Sequence, residues 1–368
     1  MFQTNKETEQ LDSILGYYCF RFDPEKMDTR SPWGTCPQHI VRIPKYTLID
    51  KNSETIQLLS FGTLADAGDA VTTESASTCS AWTPKMATWQ PVEGRERFET
   101  RVATTEAACR AKTLEKVVIA RCEVARYRGS TEKVRALTFE MLCQRFQNTM
   151  VFDIPMGEGG FIGATPETLI RIDHGRVETH ALAGTVTARP NDMLKDAKLL
   201  REHACVTQDI RQRLDGICHQ VDVDPTPSVR EANGVYHLQT PIRGRLKEGG
   251  TLFDAIKQLH PTPALCGTPR IDSLRWLRQT ESLDRGFYGG PVGLFDLRGE
   301  TGIAAVAIRS AVLQANEAFS YAGAGIVSGS IPAAEWDETS AKLAAIQGSL
   351  NAVQRNHLAD ESEVASWR

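Results

Sequence analysis

Apolar residues recur along this chain at two distinct periods. In "VEGRERFETRVATTEAACRA", Phe98, Val102, Thr105 and Cys109 return every three or four positions, which predicts a helix with one buried stripe. Directly after it, "EKVVIARC" alternates on a period of two. Lys116, Val118 and Ala120 fall on one face of a predicted strand, Val117 and Ile119 on the other. A helix follows around "LTFEMLCQRF", then the strands "TMVFDI", "GGFIGA", "TLIRID" and "GRVETHAL", with "DHG" at 173–175 as a hairpin turn. Residues 192–217 or so predict a helix whose Leu199, Cys205, Val206, Ile210 and Leu214 lie mostly on one face. "GVYHLQTPIRGRL" reads as a strand or strand pair, and "TLFDAIKQL" and "IDSLRWLRQ" as helices. "RGFYGGPVGLFDL", "TGIAAVAIRSAVL" and "EAFSYAGAGIV" form a strand-rich meander, and a last helix opens near Ile331 or Pro332. In residues 1–90 the runs "YYCFRF", "HIVRIPKYTLI" and "TIQLLSF" read as strands, and the Pro, Gly, Ser and Thr between them predict loops and a peripheral sheet edge. Strands grouped between helices, without strict βαβ alternation, predict an α+β fold with mainly antiparallel sheets.

Composition narrows the function. The chain has 368 residues, 41% hydrophobic and 24% charged, as in a globular protein with a large core. A net charge of −4 gives no footprint for nucleic acid or for an acidic membrane surface. Nine cysteines, scattered and never spaced CxxC, speak against a disulfide framework or structural zinc and suit a reducing, cytoplasmic setting. The polar start "MFQTNKETEQLDS" predicts no signal peptide, and no apolar run is long enough to span a bilayer.

Several residues could carry chemistry, and each has a plainer use. Lys116 is unusual within an apolar strand. A neutral lysine there is a general base, while an edge lysine would simply reach water. Glu167, behind a Gly-rich turn and Pro166, is a general acid if desolvated and a solvated turn residue if not. "EWDETSAKL" sets Glu335, Asp337, Glu338 and Lys342 together. Acids suit a helix N-terminus, and Glu338 to Lys342 is an ordinary i,i+4 pair, but two carboxylates from separate helices (Glu202 and Glu338) also suit Mg2+. Arg309, ending the apolar "IAAVAIR", points to capture of a carboxylate or to an internal salt bridge. "AGAGIVSGS" spells GxGxxxG through Gly323, Gly325 and Gly329. It lies late in the chain before a single helix, which argues against a dinucleotide loop and for close approach of backbone to a ligand.

Taken in order, "KVVIAR", "FIGATPETLIRI", "ETHALAGT", "LLREHACV", "VYHLQTPIRGRL", "LHPTPALCGTPR", "GFYGGPVGLFD", "AVAIRSA", "YAGAGIVSGS" and "EWDETSAKL" resemble the chorismate-utilising enzymes over residues 92–350, and among them most closely the isochorismate synthases of the menaquinone type. The resemblance implies two stacked, roughly orthogonal antiparallel sheets flanked by helices. It implies a catalytic core at 91–352, a variable part at 1–90 packed on the same domain, and a tail at 353–368. A lysine before "VV" resembles the water-adding members, where ammonia-using members carry glutamine. The resemblance implies that Lys116 activates water for attack at C2 of chorismate and Glu167 protonates the departing C4 hydroxyl. Glu202 and Glu338 would bind Mg2+, with Glu335 orienting a metal-bound water. Arg309 and Tyr288 would hold the enolpyruvyl carboxylate. Lys342, Gly323 and Gly325 would finish the anion pocket, His237 and Thr240 would line it beneath the ring, and Gly184 and Thr185 would shape the wall behind Glu167. The implied partner is the small molecule chorismate, with no nucleic acid, membrane or glutamine amidotransferase subunit, in a monomer or homodimer. Leu199 stands where many relatives carry an acid, and Leu294 where an aromatic is common. The alternatives are a salicylate synthase, which goes on to eliminate pyruvate, and a nucleotide-binding or catalytically silent module.

Overall fold

The computed structural model describes residues 2–3, 16–34, 36–42, 46–51, 55–60, 88–146, 149–186, 190–232, 235–296 and 298–365. Its helices are α1 (Arg95–Arg110), α2 (Thr131–Arg145), α3 (Ala197–Asp215), α4 (Leu252–Leu259), α5 (Arg270–Thr280) and α6 (Pro332–Ala365). The α1 stripe is as predicted: Phe98, Val102, Thr105 and Cys109 are the buried residues of that helix. Ser130 caps α2 by accepting from the Lys133 N–H, and Thr251 and Asp254 form a reciprocal capping box on α4. Before α3 the chain makes a 3-10 turn, Pro190–Lys195. Cys205 is exposed, away from the buried Ile210 and Leu214; the apolar character of a thiol does not fix its side of a helix.

The strands form two antiparallel sheets. The first runs, edge to edge, Phe2–Gln3, Met150–Met156, Gly159–Thr165, Ser310–Gln314, Glu317–Ile326, Lys116–Arg126 and Gly267–Thr268, with Gln90–Pro91 also on Lys116–Arg126. The second runs Cys218–Val223, Val235–Leu246, Arg176–Val186, Thr168–Asp173, Gly302–Val306, Pro291–Phe295, Gly16–Phe20 and His39–Arg42, with Ser228–Ala232 also on Val235–Leu246. Tyr46–Lys51 and Thr55–Ser60 make a separate hairpin. Of "GVYHLQTPIRGRL", Val235–Leu246 is a single strand, and "DHG" closes a two-residue hairpin with Asp173 opposite Arg176 and positive φ at His174 and Gly175.

The two sheets stack. Ala120, Phe152, Phe161, Val312 and Tyr321 of the first meet Cys19, Ile40, Val292, Ile303 and Ala305 of the second in one buried cluster. Outside the first sheet, α2 and α6 cover Val151, Ile162 and Ala311 through Val134, Leu142 and Ile346, while α1 covers Ile119. Outside the second, α3 and α4 cover Ile170, Ala181 and Ile242. The meander expected at 286–326 is divided: its first two strands belong to the second sheet and its last two to the first, with the change at Ala307–Arg309. The chain makes the opposite change at Pro166–Glu167. Strands that switch sheets make corners in stacked-sheet folds, and corners expose side chains to the space between layers.

The candidate active site

Glu167 and Arg309 each sit at one of these two corners, and backbone bonds stitch the corners together. The Thr165 hydroxyl donates to the Val306 carbonyl at 2.6 Å and accepts the Glu167 N–H at 3.2 Å. The Val306 N–H donates to Glu167 O at 2.9 Å, and the Ala164 N–H to Arg309 O at 3.2 Å. Arg309 adopts φ +52°, a conformation that costs a non-glycine residue roughly 1 kcal/mol or more and collects at ligand sites.

Lys116 opens the strand beside Glu317–Ile326, and its alkyl chain crosses Gly325, where a β-carbon would fall 2.7 Å from Cε. A β-carbon at Gly323 would come within 3.2 Å of the Tyr288 hydroxyl. Lys342 Nζ donates to the Gly323 carbonyl at 2.8 Å and pairs with Glu338 at 2.5 Å. The absent side chains of one strand thus leave room for Lys116 at Gly325 and for the Tyr288 hydroxyl at Gly323. Gly323 and Gly325 lie inside that strand and only Gly329 in a turn, which is not the geometry of a dinucleotide loop.

The charges read one another. Burial raises the Glu167 carboxyl above the ordinary carboxylate range, partly offset by Lys116, Arg309 and Lys342. Burial raises Glu335 too; Ser330 opposes this, Glu338 reinforces it, and Lys342 and Lys116 oppose it. Burial lowers Arg309, while Tyr288, Glu167 and Glu338 support its charge. His237 is pushed down to about 4 by burial and by Arg309, Lys342 and Arg230, so it is neutral at pH 7. Tyr288, stacked on Tyr321 with centroids 5.5 Å apart, is pushed up to about 12, mainly by burial, and stays a hydrogen-bond donor. Glu338 is exposed, as is Asp337.

Thr240 stands apart: it is buried, and its hydroxyl lies 2.6 Å from His203 Nε2, tying the strand Val235–Leu246 to α3. Gly184, at φ +74°, forms a bulge against which Leu199 packs. Glu202 lies in α3 and Thr185 opposite His237, but the side chains of both fall outside the described residues. Glu335 and Glu338 are one turn apart on α6, and burial, reinforced by the like charge of Glu338, raises Glu335. Their oxygens are hard donors of the kind a divalent cation takes, and Glu338 is already paired with Lys342. Among the described residues no group of three acidic, histidine or cysteine side chains is gathered to hold one.

Sequence reasoning passed over the supports. Arg285 and Glu281, both buried, form a bidentate pair at 2.6 and 2.8 Å. Arg285 also donates to Val118 O at 2.6 Å and to Leu265 O at 2.8 Å, while Glu281 accepts the Ala120 N–H at 3.2 Å. The pair thereby substitutes for a neighbouring strand just beyond Lys116, where the short strand Gly267–Thr268 has ended. The i,i+4 spacing of Glu281 and Arg285 was the visible signal. A shallow cleft also opens beside Glu167, lined by His180, Arg213, Arg230, Thr262 and Ala264 among others.

An amine, a guanidinium and a second ammonium that all act on one carboxyl held toward its neutral form suit acid–base chemistry on a small anionic substrate. A family model described as chorismate binding enzyme matches residues 1–351, and the chain belongs to that family. It is 37% identical over 269 residues to the salicylate biosynthesis isochorismate synthase of Pseudomonas aeruginosa, covering 70% of this chain and 56% of that protein. It is 34% identical over 263 residues to the isochorismate synthase MenF of Bacillus subtilis, covering 69% and 55%. The chain thus matches a little over half the length of these two relatives. The solved structure of MenF, the menaquinone-specific isochorismate synthase of Escherichia coli, superposes with a TM-score of 0.78 at 25% identity, over 95% of this chain and 84% of that one.

Proposed function

We propose that this chain is an isochorismate synthase, converting chorismate to isochorismate by adding water at C2 with loss of the C4 hydroxyl. The observation that carries the reading is Lys116 laid over Gly325 and near enough to Glu167 for its charge to act on that carboxyl, which burial favours in its protonated form. Water is a poor nucleophile and hydroxide a poor leaving group. In this reading Lys116, as free amine, takes a proton from the attacking water as the C2–O bond forms. The ring double bonds shift, the C4–O bond breaks, and Glu167 gives its proton so that water departs. One proton is gained and one lost, and solvent exchange restores both groups. A base and an acid so placed are each worth roughly 10²- to 10⁴-fold.

In this reading Arg309 and the Tyr288 hydroxyl would hold a substrate carboxylate, and neutral His237 would offer a wall without adding charge. Glu335 and Glu338, with Glu202 from α3, would hold Mg2+, which when bound offsets the negative charge of the substrate's ring carboxylate. Incubation with chorismate and Mg2+, with products separated by chromatography, tests the reading. Isochorismate is expected from the wild type, and a loss of at least 10²-fold in Lys116→Ala and Glu167→Gln. Salicylate fluorescence, or no turnover with Mg2+ or Mn2+, would overturn it.

A further inference from the structure

Arg121 lies five residues after Lys116 on the same strand, on the opposite face, and is 1% exposed. A buried guanidinium is costly unless its donors are used. Here Nε donates to Thr339 Oγ1 at 2.7 Å, one terminal nitrogen to Ser340 Oγ at 2.8 Å and the other to Glu123 Oε1 at 2.5 Å. Its plane rests 3.9 Å from the centre of the Trp336 ring. The two hydroxyls are fixed in turn: Thr339 donates to the carbonyls of Glu335 and Trp336, and Ser340 to that of Trp336. Glu123 accepts from Gln347 as well, at 2.8 Å, so the Arg121–Glu123 couple grips α6 at two points about two turns apart.

This grip decides which way α6 faces. Successive helical residues turn by about 100°, so Trp336, Thr339, Ser340 and Leu343 share the side toward the sheet. Glu335, Glu338 and Lys342, spaced by three and four, share the adjoining side, from which Lys342 reaches Gly323. A rotation by one residue would swing both carboxylates about 100° around the axis of α6 and break the Lys342–Gly323 contact. Packing alone needs no arginine here, because a flat apolar side chain would cover Trp336 as well. The planar fork matches two hydroxyls one residue apart, which lysine cannot do.

We infer that Arg121 is the positioning residue that sets the rotation of α6 and so presents Glu335 and Glu338 to a divalent cation. This rests on the reading above, in which those carboxylates hold the metal. The test measures binding of Mn2+ alone to the full chain by electron paramagnetic resonance, alongside the melting temperature. Arg121→Lys, which keeps the charge, is expected to weaken Mn2+ binding at least tenfold, and Thr339→Val, which keeps the shape, three- to tenfold. A lowered melting temperature with Mn2+ affinity within twofold of wild type would make Arg121 merely structural and overturn the inference. If Arg121→Lys does not fold, Thr339→Val and Ser340→Ala decide on the same criterion. A wild type that binds no Mn2+ would overturn the metal reading and this inference together, whereas a wild type that binds it while both variants match it overturns the inference alone.

Discussion

The alkyl chain of Lys116 lies across the α-carbon of Gly325, so a β-carbon at 325 would sit 2.7 Å from Cε and 3.3 Å from Nζ. The nearest atoms to the added methyl belong to the end of a flexible side chain, not to backbone. Gly325→Ala should therefore leave the melting temperature nearly unchanged while displacing the amine. A shift of about 1 Å at a reacting group can cost roughly 10²-fold in rate. Steady-state kinetics with chorismate, read beside a thermal melt, would check this.

Glu167 should oppose stability at neutral pH. Its carboxyl is raised in the folded state, so its favourable contribution is complete below the unfolded value and is lost as pH rises through the folded one. Glu167→Gln removes the buried charge. The variant is expected to melt higher than wild type at pH 7–8, with the gain shrinking toward pH 4, even as turnover collapses. Melts across that pH range would reveal a site that trades stability for chemistry.

Two histidines should make the fold acid-sensitive. His237 and His260 are both pushed down to about 4, His260 chiefly by burial, with Phe22 O accepting from its ring at 3.0 Å. The unfolded chain binds these protons near pH 6.5, so stability is lost as pH falls from there toward 4, by up to about 1.4 kcal/mol per pH unit for each group. Histidine NMR signals should show neither residue titrating between pH 5.5 and 8, and His260→Asn should flatten the stability profile in that window.

The pair Glu281–Arg285 should be strongly coupled. Arg285→Met strands a buried carboxylate and the Val118 and Leu265 carbonyls, a loss of roughly 3–5 kcal/mol. Glu281→Leu should cost a similar amount, and the double variant well below the sum. Urea denaturation of the four proteins would measure the coupling as a double-mutant cycle.

Much of the architecture was legible because periodicity reports which face of an element is apolar. The α1 stripe, the alternation from Lys116 to Ala120 and the turn at His174–Gly175 all follow from local chemistry. What periodicity does not report is the partner. "GIAAV" and "SAVLQ" look alike as strands, yet they lie in different sheets, and only the corner at Ala307–Arg309 separates them. The candidate site was legible where residue types are unusual for their setting, such as Lys116 in an apolar strand. Arg121 and Arg285 were not singled out: arginine is common, and only the fold shows that theirs are buried. Trp33 was equally silent, for its neighbours in sequence are loops and its neighbours in space come from residues 161–321.

That tryptophan bears on how the molecule can be cut. Its indole N–H donates to the Tyr321 hydroxyl at 2.9 Å, and Tyr321 is the ring on which Tyr288 rests. A fragment trimmed to begin at residue 91 would keep every side chain proposed for the reaction and lose the wedge behind one of them. Its defect would go beyond the missing indole, because the strands Gly16–Phe20 and His39–Arg42 would leave the second sheet with it.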